Sequence, residues 1–377
     1  MNAAFGLYVH IPFCRRRCHF CAFYLELHRD AAAEAFVRAL QTEIRLYGHD
    51  KISGGRPLQS LYFGGGTPTM LSADQLTAIL RTVQQCFAVD SRCEITVEAH
   101  PGTVTITDLS VLRRSGVTRV SFGAESMQDA ELAAIGRPGA QAETIAAVEA
   151  ARSAGFTNIN LDLMYGLPGQ TIESWTRTLE ACCALSPCHL SCYALTVEEG
   201  TRFANDIRRD PGRAPDETLQ IEMDDIAQEV LRGAGYERYE ISNYALAGFE
   251  CRHNLLYWTQ GDYLGVGPSA QSFMGGVRFG NIANLAAYQA SLEDGRLPIE
   301  ERIALTREEQ LRDGVIFGLR LHHGVPTSHL NGHAANYGRV QVVNDLRAAN
   351  LIEEEGERTR LSAHGRRHAD TVAEKLF

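Results

Sequence analysis

No stretch of this chain reaches the roughly 18 consecutive apolar residues that a membrane-spanning helix requires, so the sequence offers no candidate span. No basic cluster precedes the apolar start MNAAFGLYVHIPF, and a secretory signal is not expected. Positive charge is not in excess: 36 Lys and Arg stand against 46 Asp and Glu, for a formal net charge of −10. That balance argues against a general nucleic-acid binder. Cysteine, by contrast, is plentiful, with ten in 377 residues. Without a secretory signal these point to a reducing compartment, where clustered cysteines serve metal or redox chemistry more often than disulfides. The 45% hydrophobic content supplies a sizeable core, in one large domain with an appendage or in two to three units.

The first half reads as strand, loop and helix in repetition. Strands are expected at GLYVHI (6–11), SLYF (60–63), CEITVEA (93–99), RVSFGAES (119–126), NINLDLMYG (158–166) and HLSCYAL (189–195). Helical periods separate them, at 31–47 with Asp30 as N-cap, at 72–87 with Ser72 as N-cap, at 107–116 ending on Gly116, at 142–155 and at 171–185. Six strands alternating with helices imply a parallel sheet. Six units fall short of the eight of a closed barrel, leaving a doubly wound open sheet or a partial barrel.

Beyond residue 200 the pattern changes. A helix is expected over 216–234, YERYEISNYA (236–245) alternates like a strand, and 248–285 reads as loops and short strands. From about 300, helices at 306–321 and 340–350, the hairpin-like LIEEEGERTRLS (351–362) and a terminal helix suggest a small winged-helix-like unit. Its acids and bases are nearly balanced, so it reads as a packing or partner module. The expected division is 1–205, 206–299 and 300–377.

The densest chemistry lies in YVHIPFCRRRCHFCAFYLELH, where Cys14, Cys18 and Cys21 follow a C-x3-C-x2-C spacing and Phe23 stands where a fourth thiol would complete the set. Thiolates suit zinc or iron–sulfur clusters. A structural zinc ion is closed by four ligands, and His10, His19 or His28 would have to supply the fourth. A cluster of four irons and four sulfurs held by three thiolates leaves one iron open to a small ligand.

This loop resembles that of the radical S-adenosylmethionine (SAM) superfamily. The resemblance implies an α/β fold, a partial (β/α)6 barrel, with a 4Fe–4S cluster on Cys14, Cys18 and Cys21 and SAM on the open iron. It implies SAM contacts from Tyr8, Phe20, Gly64, Gly65, Gly66, Thr67, Glu98, Glu125, Arg137 and Asp162. Taken alone, GGGTP is equally a tight turn, and each acid is equally a surface carboxylate or a helix cap. Acids near the C-terminal ends of strands are nonetheless where an α/β site is built.

YVHIPFC, FGGGTPT, NLDLMYGLPGQT, HLSCYALTVEEGTRF and YERYEISNYA narrow the resemblance to the family of oxygen-independent coproporphyrinogen III oxidase and its heme-chaperone relatives, HemW. The oxidase carries a further cysteine two positions after the third and an extension before its first strand. Phe23 and the early position of Tyr8 favour the chaperone branch. So does CRHNLLYWTQGDYLGVG (251–267), which carries the branch's HNxxYW motif as His253, Asn254, Tyr257 and Trp258. The resemblance implies heme as a ligand, with His253 or alternatively Cys251 on the iron, and transfer to heme-acceptor proteins, membrane-bound respiratory enzymes being candidates. It implies a cytoplasmic protein, peripheral at the inner membrane, monomeric or a cluster-dependent homodimer. The plainer view of His253 is a hydrogen-bonded core histidine with Tyr257 and Trp258 as packing. The rivals are oxidative decarboxylation of coproporphyrinogen III and action on another tetrapyrrole.

Two departures bear on the SAM site. Glu125 stands where the family has glutamine, and Gly139 stands where it has histidine in the GRPG segment. Cys182, Cys183, Cys188 and Cys192 invite a second-cluster reading, but adjacent helix residues face different ways and free cysteine is a common buried hydrophobe.

Overall fold

The computed structural model describes residues 5–376 apart from Pro138 and Tyr337. The first residues of the expected barrel unit, the proline of GRPG and the final residue therefore lie outside the described residues.

The chain begins with β1 (Phe5–Ile11), followed by α1 (Asp30–His49), β2 (Leu58–Gly65), α2 (Ala73–Cys86), β3 (Val89–Ala99), α3 (Ile106–Ser115), β4 (Arg119–Glu125), α4 (Gln141–Ser153), β5 (Asn158–Tyr165), α5 (Ile172–Ala184) and β6 (His189–Ala194). Each strand pairs in parallel with the next, from β1 to β6. Every C-terminal strand end therefore arrives at one edge of the sheet. The strands read as apolar runs because helices cover one face and the barrel interior the other.

Side-chain caps set several helix starts. Ser72 and Gln75 form a reciprocal capping box at α2, as do Thr105 and Asp108 at α3, and α3 stops on Gly116 in the left-handed region. Asp30 is not the N-cap of α1. Arg29 holds that position without a side-chain cap, and Asp30 is the first helical residue, where its charge suits the helix dipole and meets the His28 imidazole at 3.1 Å.

The parallel run is longer than the six strands expected. After α6 (Glu217–Gly233), β7 (Glu237–Arg238), β8 (Asn243–Ala245) and α7 (Arg252–Trp258), the strand β9 (Asp262–Val266) returns to lie parallel to β1 on its free side. From β9 the sheet extends antiparallel through β10 (Gln271–Met274) and β11 (Val277–Asn281). Past α8 (Leu285–Glu293) it ends at β12 (Ile299–Ala304). The resulting 12-stranded order is β12-β11-β10-β9-β1-β2-β3-β4-β5-β6-β8-β7.

YERYEISNYA is not one strand but β7, a turn and β8. The buried Glu240 carboxylate organises the turn by accepting from the Ser242 N–H at 3.0 Å and from the Asn243 side chain. The helices Asp129–Ala134, Arg202–Arg209 and Thr327–Asn336 have no counterpart in the sequence reading.

One apolar core runs from Phe5 to Leu292 and a second from Val315 to Leu376. The second belongs to α9 (Arg307–Gly318), α10 (Thr327–Asn336), α11 (Val340–Ala348), the hairpin β13 (Ile352–Glu355) and β14 (Arg358–Leu361), and two terminal helices. With Val325–Pro326 the hairpin forms a three-stranded antiparallel sheet, which is the winged arrangement expected. The two cores are joined by an Arg278–Asp313 ion pair at 2.7 Å and a backbone bridge between Glu240 and Leu321.

Candidate functional site

Inside the sheet's curve, at its C-terminal edge, lies a cavity of about 590 Å³. Of the residues expected to hold cluster, SAM and heme, all but Gly64 and the alternative heme ligand Cys251 line it.

The cysteine loop leaves β1 through Phe13–Cys14 and is pinned at its base, where Glu26 N–H donates to the Pro12 carbonyl at 2.6 Å and His28 N–H to the Cys14 carbonyl at 3.0 Å. Arg17 holds the loop from within, donating to the carbonyls of Cys21, Phe23 and Leu25. His19 ties it to its surroundings, donating from its N–H to the Ile135 carbonyl and accepting at its own carbonyl from Phe203. Cys14 Sγ lies 3.5 Å from Thr67 Oγ1, and Arg137 Nη1 donates to Cys18 Sγ at 3.9 Å. Burial raises the pKa of all three thiols, so a metal must displace their protons to bind.

These residues fit a cluster better than a single ion. Among the described residues no three His, Cys, Asp or Glu side chains converge closely enough for one metal ion. A four-iron cluster spreads its thiolates further apart. His10, His19 and His28 are engaged elsewhere: His10 with the Tyr24 carbonyl, His28 with Asp30, and His19 packed against Gly136. Phe23 is 64% exposed and lines the cavity, so the loop brings three thiols and no fourth. The glycine turn leaves room for a ligand by being bare. A Cβ on Gly66 would meet the Phe13 carbonyl oxygen at 2.7 Å and Cys14 Sγ at 3.1 Å, and one on Gly64 would lie 3.1 Å from Glu98 Oε2.

Facing the thiols are three carboxylates and one guanidinium. Glu98, near the end of β3, accepts from Tyr62 OH at 2.7 Å, and burial followed by the nearby Asp162 raises its pKa to about 7. Asp162 on β5 accepts from Ser121 Oγ at 2.8 Å and Asn160 Nδ2 at 2.9 Å. Glu125 closes β4 with φ at 61°, a strained conformation for glutamate. It pairs with Arg137 at 3.5 Å, and Arg137 also donates to the Gly123 carbonyl.

Residues absent from the sequence reading support this row. The Asn160 amide oxygen meets His189 Nδ1 at 2.6 Å, and His189 Nε2 meets Tyr239 OH at 2.8 Å. Burial and Arg119 hold His189 well below the ordinary imidazole range, so a neutral ring links Asn160 to Tyr239 and steadies Asp162 through Asn160. The signal was parity: Asn160 and Asp162, like His189 and Ser191, are two apart on a strand and share a face.

Tyr8, at the middle of β1, stacks against Tyr62 and against His253, each at 6.1 Å. Phe20 is partly buried and packs on the small apolar cluster around Ile135, Met164 and Phe203. His253, on α7, is 1% exposed and has both ring nitrogens engaged, Nδ1 with Ser60 Oγ and Nε2 with Tyr257 OH, each at 2.9 Å. Burial lowers its pKa to about 3, so it is neutral. Cys251 is fully buried, with Sγ 3.6 Å from Glu94 Oε1. Cys182 lies in the main core, and Cys188 donates to the Thr157 carbonyl.

The profile of the radical SAM superfamily matches residues 8–182, and that of the HemN C-terminal domain matches residues 305–368. The chain is 33% identical to the heme chaperone HemW of Bacillus subtilis over 367 residues, covering 95% of both chains. It is likewise 33% identical to HemW of Mycobacterium tuberculosis over 376 residues, 99% of this chain and 95% of the relative. Among solved structures it resembles coproporphyrinogen III oxidase (HemN) from Escherichia coli, a radical SAM enzyme. The TM-score is 0.86 at 26% identity, over all of this chain and 90% of that one.

Proposed function

Because the chain belongs to the HemW family of radical SAM proteins, we propose that it is a heme chaperone, which takes up heme and passes it to acceptor proteins. The observation that carries this is the near full-length similarity to HemW combined with a loop of three thiols in which the exposed Phe23, two residues after Cys21, stands where a further thiol would be.

In this reading Cys14, Cys18 and Cys21 hold a 4Fe–4S cluster, and SAM lies between it and the carboxylate row. The bare backbone of Gly64, Gly65 and Gly66 and the side chain of Thr67 receive the amino group of SAM. Arg137 faces its carboxylate, Asp162 and Glu125 its ribose side, and Tyr8, Phe20 and Glu98 complete the walls. When bound, the cluster supplies a one-electron reductant. The chain's own residues orient SAM, keep Cys18 beside a cation and hold Glu98 in a setting where it carries a proton near neutrality. Heme would be received beside α7; His253 could serve as an iron ligand there only by giving up Ser60 or Tyr257.

No helix among the described residues is long and apolar enough to cross a membrane. Delivery to membrane-bound acceptors would be from the cytoplasmic face, with the protein alone or as a dimer. The rival reading, oxidative decarboxylation of coproporphyrinogen III, draws on the similarity to the oxidase structure. One experiment separates them. Reconstituted anaerobic protein is titrated with heme by absorbance, then incubated with coproporphyrinogen III, SAM and reductant. Saturable heme binding without protoporphyrinogen supports the chaperone. Protoporphyrinogen formation without heme binding replaces it with the oxidase.

A further inference from the structure

The helix α7 has two sides. His253, Asn254 and Tyr257 line the barrel cavity, whereas Trp258 at its end lines a second cleft of about 400 Å³ between the barrel and the C-terminal unit. That cleft differs in charge from the rest of the molecule. No Asp or Glu is among the described residues that line it, in a chain of net charge −10, while Arg307, Arg358, His323 and His329 all do.

Several of the polar groups in it are uncommitted. The Trp258 indole Nε1 is buried without a hydrogen-bond partner, which is unfavourable unless a ligand or water meets it. The Arg320 guanidinium lies over the same indole at 4.7 Å. The side chains of His323, His329 and Arg307 make no hydrogen bond or ion pair among the described residues. Arg358 shapes the turn that carries His323, donating to the carbonyls of His323 at 2.8 Å and Gly324 at 2.5 Å. The His323 ring, lining the cleft without a hydrogen-bond partner among the described residues, offers the lone pair an iron ligand needs. Leu321 and Val325 supply apolar wall.

A free imidazole, cations without competing carboxylates, an aromatic edge and an apolar wall match a flat metallated macrocycle bearing carboxylates. A phosphate ligand would use the cations but neither the imidazole nor the apolar wall. We infer that heme rests in this cleft, with its iron taken by one of the imidazoles of His323 and His329 and a carboxylate directed to Arg307. The inference rests on the heme-chaperone reading and places the ligand opposite His253 across α7.

The test is a heme titration followed in the Soret band, on protein without SAM or reductant. It compares wild type, the double variant His323→Ala/His329→Ala, Arg307→Glu and His253→Ala. The replaced cleft residues are exposed, so their variants keep the fold, which circular dichroism checks. The expected result is an affinity loss of about tenfold or more in the double variant with a displaced Soret band. Arg307→Glu is expected to weaken heme but not its dimethyl ester. Wild-type affinity and spectrum in the double variant, with loss in His253→Ala alone, puts the iron in the barrel and overturns the inference while keeping the chaperone. Absence of saturable binding by the wild type removes both.

Discussion

Arg137 reaches from the loop after β4 to Cys18, its Nη1 3.9 Å from the sulfur and 3.5 Å from Glu125 Oε1. One guanidinium thus joins the cysteine loop to the end of a barrel strand and balances the carboxylate of Glu125.

Arg137→Met strands Glu125 as a buried charge, and breaking such a pair costs about 3 kcal/mol. Adding Glu125→Gln removes the uncompensated charge and restores most of that stability, as read by urea unfolding of the single and double variants. SAM affinity, measured by equilibrium dialysis, stays low in both. A double variant as unstable as Arg137→Met contradicts the pairing.

Cys18→Ser is expected to lose iron and the visible absorbance of the reconstituted protein, because two thiolates do not hold a four-iron cluster that is already short of one protein ligand. Iron per chain is the measurement, and full retention sinks the cluster assignment.

Gly66→Ala places a methyl group 2.7 Å from the Phe13 carbonyl and 3.1 Å from Cys14 Sγ. The loop must shift, so iron per chain falls together with the melting temperature. Gly233→Ala is the control: its methyl group meets nothing within 4 Å near the end of α6. A glycine-to-alanine change inside a helix is worth about 0.5–1 kcal/mol in favour of stability. Equal behaviour of the two variants contradicts the tight approach.

Glu98 titrates near 7 in the folded chain against 4.5 as its ordinary value. A carboxyl raised on folding binds more protons folded than unfolded between those values, so its contribution is full at low pH and is lost as pH rises through about 7. The difference amounts to about 3 kcal/mol. Glu98→Gln should flatten that part of the stability profile in urea unfolding at pH 5 and pH 7.5. An unchanged slope shows that Glu98 does not titrate there.

The strand and helix pattern of the first half was legible because parallel strands are apolar runs and their helices carry strong caps. Ser72 and Gly116 marked two helix boundaries correctly. Asp30 misled, since a good capping residue also sits well at the first helical position. YERYEISNYA misled because alternation does not reveal that Glu240 turns inward and breaks the strand.

The site was legible where spacing is local. Three thiols within eight positions and a GGGT turn announce themselves in the sequence. Asn160, His189 and Tyr239 did not, because their roles come from contacts across two neighbouring strands and a later turn, 29 and 50 positions apart. The HNxxYW motif was recognisable as a string, but its division between two cavities was not.

By itself the sequence determined the βα alternation, the three-thiol loop and the row of acids at strand ends, since each follows from local periodicity, spacing and side-chain chemistry. Only the tertiary structure decided that β9 returns beside β1, that both nitrogens of His253 are engaged, and that Trp258 faces a cleft with no acid among its described lining residues. Those facts depend on which distant segments pack together, and a buried contact between residues hundreds of positions apart leaves no local signature.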